Sequence, residues 1–341
     1  MHDDQHEHSH DHSHNGAHCD HAGCNHDHHH GPKHIYVYSP SGAVRDKKAF
    51  RLGVKRLEAL GHTVEVDPAA LESHMRFAGD DDTRLAAIER ACRSGADVAL
   101  ISRGGYGLSR LLHRIDYELM GQAISGGTKF VGLSDFTALQ MALYAKTKAV
   151  TWAGPALGAD FGAADGMDDI MLDCFEDMLF GHGEGAGWRV SAERAGTVTG
   201  ASAAEDTYIP KATLWGGNLA MLASLAGTPY MPKIKNGVLF LEDVGETPYK
   251  VERMLTTLLH AGVLAQQKAI VFGQFNDYKL SSHDKGFKLT TVVQWLRSQI
   301  EAPVFTNLPF GHVATKVVLP FGAQVSLSVE GRDALIYWGH Q

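Results

Sequence analysis

The sequence predicts an α/β protein whose first half is an open parallel sheet and whose second half ends in β-structure. Short apolar strands alternate with amphipathic helices from His34 to about residue 160, a pattern that requires crossover connections and therefore a parallel sheet. A stretch rich in Gly, Ala and Asp, residues 161–207, interrupts the alternation. The segment AQVSLSVEG near the C-terminus then alternates with period two. With 341 residues and 44% hydrophobic content, the chain has material for two ordinary cores. It divides into a His-rich tail (1–33), an α/β region (34–160), a linker region (161–207) and a C-terminal region (208–341).

The elements follow in order. HIYVYSP, HTVEVDP and DVALISRGG read as strands, separated by the helices AFRLGVKRLEALG and TRLAAIERACRSG. A helix is expected directly after the glycines of ISRGGYGLSRLLHRID. KFVGL is a fourth strand feeding the helix DFTALQMALYAKT, and TWAGP completes the region. WRVSAERAGTVTG suggests a pair of strands. KATLWGGNLAMLASLAG predicts a Gly-Gly turn entering a helix, followed by the buried-type strand NGVLFLED. Thr247 is placed to cap the next helix, with Pro248 at its first position, Val251, Met254, Leu255, Leu258 and Leu259 on one face, and Gly262 after its last turn. After VLAQQKAIVFGQF and the helix-like TTVVQWLRSQI, the strands AQVSLSVEG and DALIYWG predict a small-barrel or α+β ending, not another parallel repeat.

Composition narrows the function. The net charge is −8, of which residues 1–33 carry −5 through six acids and one lysine, so the body has no basic surplus for nucleic acid. No run approaches ~18 consecutive apolar residues, and MHDDQHEHSH lacks the basic-then-apolar order of a secretory signal, so a cytoplasmic protein without membrane contact is expected. Cys19, Cys24, Cys92 and Cys174 form no disulfide framework for a chain of this size. In the tail, imidazoles interspersed with two thiols (His6, His8, His10, His12, Cys19, Cys24, His28) suit zinc, nickel or copper, in spacing too irregular for a closed tetrahedral site. A merely solvated, disordered tail is the alternative.

Four places can carry chemistry. In KFVGLSDFT a strand ends at Leu133, Ser134 occupies the turn, and a helix begins at once. A serine there projects its hydroxyl at the sheet's carboxyl edge, beside helix N–H groups able to hold an oxyanion. It also suits plain N-capping. The Arg103–Gly107 turn lets backbone approach a ligand; lacking either phosphate-loop pattern, it fits N–H donation from Gly105, beside that of Asp135, or an ordinary tight turn. Glu242 closes a strand and His312 lies in the loop of NLPFGHVATK. A serine nucleophile needs a histidine base oriented by a carboxylate, yet a surface Glu and a loop His have structural explanations of their own. Arg103 can bind a carboxylate bidentately or form an ion pair, Tyr106 is a substrate contact on the same turn, Trp215 can wall a pocket or fill core, and Asn218 can bond peptide amides.

GLSDFTAL, SRGGYGLSRLL, LWGGNLAML, LFLEDVGETPYKVERML and LPFGHVATKVVLPFG, in that order, resemble the LD-carboxypeptidases of bacterial cell-wall recycling across residues 34–335. The resemblance implies a flavodoxin-like N-terminal domain, a smaller β-rich, swivelling or barrel-like C-terminal domain, and a homodimer. It implies a Ser-Glu-His triad on Ser134, Glu242 and His312, with Glu246 as competing acid, acting without a cofactor on the terminal D-Ala of a murein tetrapeptide. It places the site in an interdomain cleft. The related branch that cleaves peptide-nucleotide antibiotics for immunity is the alternative, and a metal-buffering protein acting through the tail is the alternative from another class.

Overall fold

A computed structural model of the chain describes residues 31–192 and 206–339. The tail ligands, from His6 to His28, and the second strand suggested by WRVSAERAGTVTG lie outside the described residues.

Strands β1 (His34–Tyr38), β2 (Thr63–Val66), β3 (Val98–Ile101), β4 (Lys129–Gly132) and β5 (Thr151–Ala153) pair in the order β2-β1-β3-β4-β5, all parallel. This is the flavodoxin-like order, whose switch point between β1 and β3 sends the loops at the carboxyl edge apart and opens a crevice there. Helices α1 (Lys47–Ala59), α2 (Asp81–Arg93), α3 (Tyr117–Ser125) and α4 (Phe136–Thr147) connect or flank these strands. Asp46, Asp80 and Asp116 cap the first three with side-chain oxygens. The helix expected directly after Gly107 is instead one 3-10 turn, Leu108–Arg110, and the true helix, α3, starts only after Asp116.

Helix α4 is buried on all sides from Phe136 to Tyr144, because it lies between the first sheet and the segments Leu219–Ser224 and Thr207–Asn218 of the second half. A helix apolar all round requires such a double cover. Beyond it, α5 (Asp169–Phe180) joins α1 in covering the opposite face of the first sheet, where Phe50, Leu57, Phe161 and Phe175 pack on Ile35, Val37 and Leu100.

The second sheet has seven strands in the order β10-β9-β8-β7-β12-β13-β6: β6 (Gly185–Arg189), β7 (Thr207–Asn218), β8 (Val238–Val244), β9 (Ala269–Asn276), β10 (Val304–Phe305), β12 (Gln324–Glu330) and β13 (Asp333–Tyr337). The ending β12–β13 is antiparallel, as the period-two pattern predicts. β7 to β10, however, form a parallel set with α6 (Leu219–Ser224), α7 (Pro248–His260) and α8 (Leu289–Gln299) between them, a second parallel repeat against expectation. The sheet curls until its edges meet through side chains: Trp188 Nε1 donates to Thr306 O at 3.1 Å and Asn307 Nδ2 to Arg189 O at 2.8 Å. That is barrel-like closure without a backbone ladder.

The two sheets do not divide the chain at one point. β11 (Leu319–Phe321) leaves the second half and pairs antiparallel with β5 at the edge of the first sheet. β6, from the stretch expected as linker, edges the second.

The Gly216-Gly217 pair is no turn: both residues lie inside β7, with φ of 134° and 120°. A Cβ on Gly216 would stand 1.9 Å from the Phe240 carbonyl oxygen of the neighbouring strand. Gly216→Ala is therefore expected to cost more than about 2 kcal/mol by strain and clash together. Chemical denaturation measures this; an unchanged midpoint would show that the β7–β8 ladder relaxes around a methyl group.

Candidate active site

Ser134 follows β4 with φ 65°, a left-handed conformation that costs a non-glycine residue of order 1 kcal/mol or more. The strain serves a sharp strand-to-helix elbow: Phe136 N bonds Leu133 O and Thr137 N bonds Ser134 O, at 3.2 and 2.9 Å. The capping role is not taken up, since Asp135 occupies the N-cap of α4 and makes no side-chain cap bond. Among the described residues the Ser134 hydroxyl enters no hydrogen bond. Gly104 lies against it, so closely that a Cβ there would stand 2.6 Å from Ser134 Cβ and 2.7 Å from Oγ.

The carboxylate of Asp135 turns inward, where its Oδ2 accepts from Ser41 Oγ and Leu108 N at 2.8 Å each. Burial pushes its pKa up against those donors. Fully buried Arg84 supplies the opposite charge to the same loops, donating from Nη1 to Gly107 O at 2.9 Å and to Pro40 O at 3.4 Å, and pairing with Asp81. The loops after β1, β3 and β4 are thus tied together, carbonyls to a cation and donors to an anion. Among the described residues the N–H groups of Gly105 and Asp135 donate to no protein group, and a Cβ on Gly104 would lie 3.6 Å from Asp135 N.

From the second sheet come Glu242, at the end of β8 and fully buried, and His312, in the loop between β10 and β11. Glu242 Oε2 stands 2.7 Å from His312 Nδ1. Asn218, at the end of β7, donates from Nδ2 to Glu242 Oε1 and to Asp243 Oδ1, 3.1 Å each, and its Oδ1 accepts from Met221 N. With both amide hydrogens committed, Asn218 positions the carboxylates, and one lone pair of its Oδ1 is what it has left for a peptide amide. Burial and then the adjacent Glu242 charge push Asp243 up to about 6. Burial opposes a charged His312, but its hydrogen bond to Glu242 and the charges of Glu242 and Asp243 outweigh it, leaving the imidazole above its ordinary value.

The two halves are joined directly. Thr137 Oγ1, in the first turn after Ser134, accepts the N–H of Asn218 at 3.0 Å. The histidine loop is also anchored to the first half, by a buried ion pair between Lys316 and Asp160 and by Thr315 Oγ1 donating to Asp168 Oδ2 at 2.6 Å. Ser134 and His312 are not hydrogen-bonded to each other. Of the remaining predicted residues, Trp215 is a correction: it is fully buried with Nε1 bonded to Gln267 Oε1 at 2.9 Å, and it fills core instead of walling a pocket. Tyr106 is 44% exposed beside the Gly104-Gly105 turn, Arg103 donates to Ala43 O at 2.8 Å, and Glu246 faces Lys250 at 3.7 Å, not the histidine. Asp135, Arg84, Asp243, Asp160 and Lys316 were missed as positioning side chains. Only Lys316 carries a signal in the sequence, a lysine entering the apolar run VVLPF. Among the described residues no cluster of His, Cys, Asp or Glu is arranged to hold a metal, and no helix is long and apolar enough to cross a membrane.

Residues 35–154 match the LD-carboxypeptidase N-terminal domain and residues 211–327 the LD-carboxypeptidase C-terminal domain. A Bacillus subtilis protein provisionally named a murein peptide carboxypeptidase is 29% identical over 297 residues, 86% of this chain and 88% of its own. The crystal structure of muramoyltetrapeptide carboxypeptidase from Oxalobacter formigenes superposes with a TM-score of 0.78 at 36% identity, over 90% of this chain and 98% of that one. The microcin C7 self-immunity protein of Escherichia coli is 26% identical over 252 residues, 68% of this chain and 71% of its own. Fold and relatives together define a serine-type carboxypeptidase. The chain belongs to the LD-carboxypeptidase family.

Gly104→Ala places a methyl group on the Ser134 hydroxymethyl. Peptidase activity is expected to fall ~100-fold, well beyond what any accompanying drop in melting temperature explains, since misplacement near 1 Å is costly to catalysis. Activity and melting curves on the same preparation check this.

Proposed function

We propose that this enzyme hydrolyses the bond to the terminal D-Ala of murein tetrapeptides, in peptidoglycan recycling, through an acyl-enzyme on Ser134. The observation that carries the reading is the 2.7 Å contact between buried Glu242 and His312 Nδ1, on a loop anchored to the half that holds the strained Ser134 elbow. Nδ1–H donates to Glu242, which leaves Nε2 free to accept the Ser134 proton as Oγ attacks the carbonyl carbon. The N–H groups of Gly105 and Asp135 receive the developing oxyanion. The C–N bond breaks as His312 returns the proton to the departing D-Ala amine. Water, deprotonated by the same imidazole, then attacks the ester and frees Ser134. Glu246 is the poorer acid because it faces Lys250.

The murein relatives support this substrate, and the form LFLEDVGETPY favours it. The 26% identity to the microcin C7 self-immunity protein supports the second reading, cleavage of a peptide-nucleotide antibiotic. A panel of both substrates separates them. The chemistry calls on no cofactor; zinc or nickel binding by the tail is a separate property, tested by deleting residues 1–33. A cytoplasmic homodimer belongs to the same proposal, and free Cys92 and Cys174 suit a reducing compartment.

Ser134→Ala is expected to lower D-Ala release from a disaccharide-free tetrapeptide by ~10⁴-fold or more; undiminished release, followed by mass spectrometry, sinks the nucleophile assignment. Because the working base is neutral imidazole with a raised pKa, kcat/KM should rise with pH along a limb centred above ~6.5. Asp243 titrates in the same cluster, so the midpoint belongs to the group as a whole. Glu242→Gln removes the charge that favours imidazolium, and the limb should move to lower pH while kcat falls ~10²–10⁴-fold. A limb that stays in place would exclude Glu242 as the partner.

A further inference from the structure

Ala43 is a node at which three arginines converge. Its N–H donates to the carbonyl of Arg76 at 3.0 Å, its own carbonyl accepts from Arg103 Nη1 at 2.8 Å, and Arg45 follows two residues later. The Arg103 guanidinium is half-buried between two glycines that bring no side chain to cover it. A Cβ on Gly42 would stand 2.8 Å from Nη1, and one on Gly105 3.2 Å from Nη2. Arg76, whose backbone carbonyl takes the Ala43 N–H, sets its guanidinium 5.9 Å from the ring centre of Tyr106 on the same turn as Arg103.

Arg84, Arg90, Arg110 and Arg114 of the same half each pair with an aspartate. Among the described residues no carboxylate pairs with Arg45, Arg76 or Arg103. Burial and then the like charges of Arg45 and Arg76 hold Arg103 below the usual arginine value. A planar cation, partly desolvated and with most of its N–H groups unused, is a bidentate receptor for a carboxylate.

Its position relative to Ser134 selects which carboxylate. Gly104 touches Ser134 and Gly105, the next residue, touches the guanidinium. One extended residue spans ~3.5 Å, so a group one residue beyond the scissile bond reaches this cation while the carbonyl is at the serine. We propose that Arg103, backed by Arg45 and Arg76, is the subsite that binds the free C-terminal carboxylate of the residue cleaved off. It is a binding group, and it makes this serine hydrolase an exopeptidase. The inference rests on Ser134 as nucleophile.

The test uses the murein tetrapeptide and the same peptide ending in a D-Ala amide. The full chain should prefer the free acid by ~10–100-fold in kcat/KM, the range of a charge-assisted bidentate contact. Arg103→Met should lose ~10–100-fold on the acid, mainly in KM, and leave the amide rate unchanged, so that the preference collapses. Arg45→Gln and Arg76→Gln, both exposed, should each weaken the preference several-fold and flatten its salt dependence. Equal losses on both peptides, or a wild-type enzyme indifferent to the terminal charge, overturn the subsite. Calorimetry of both peptides with Ser134→Ala provides a readout independent of turnover. Tighter binding of the acid, abolished by adding Arg103→Met, supports the subsite even where hydrolysis fails. Absent hydrolysis in the wild type counts against the murein substrate instead.

Discussion

The hydrogen bond from Asn218 N–H to Thr137 Oγ1 is the joint on which the site depends. Thr137 belongs to the first turn of the helix that Ser134 introduces. Asn218 ends the strand next to the one carrying Glu242, and its side chain holds that carboxylate for His312. A continuous run of short contacts therefore leads from Ser134 to His312 through backbone and side chains of both sheets. The all-round burial of α4 makes the joint stiff, because a helix covered on two sides has no direction in which to yield.

The strained elbow needs an equally firm frame. Asp135 and Arg84 form it by placing one buried anion and one buried cation among the loops after β1, β3 and β4. Burying two charges is expensive, and the cost is partly offset because Asp135 takes the Leu108 N–H and the Ser41 hydroxyl while Arg84 takes the carbonyls of Gly107 and Pro40. The frame keeps Gly104 against Ser134 and leaves the Gly105 and Asp135 N–H groups free. The Glu242–Asp243–Asn218 cluster is its counterpart in the other half, and there the negative charge favours the protonated imidazole of His312.

Local chemistry made much of this legible in advance. The parallel sheet followed from alternation, and the elbow from a serine between strand KFVGL and an apolar helix. Glu242 and His312 were individually ambiguous, since an acid at a strand end and a histidine in a loop are common; their motifs separated them from the rest. What stayed hidden depends on contacts distant in sequence. Trp215 looks the same whether it walls a pocket or fills a core. Gly216-Gly217 reads as a turn unless the close approach of β8 is known. Nothing around Asn218 in the sequence reveals the two carboxylates on its amide. The parallel set β7 to β10 was missed because α6 is short and the glycines disguise the end of β7.

β11 gives the chain an unusual order of completion. The edge of the first sheet at β5 is closed by residues 319–321, so the half made first is finished last. On the ribosome, Thr151–Ala153 stays an open edge until almost the whole chain has emerged, a state prone to pairing with other strands. The same event draws the loop of His312 taut between β10 in one sheet and β11 in the other. His312 reaches its post beside Glu242 only when the fold is complete, and a nascent or truncated chain holds Ser134 without it.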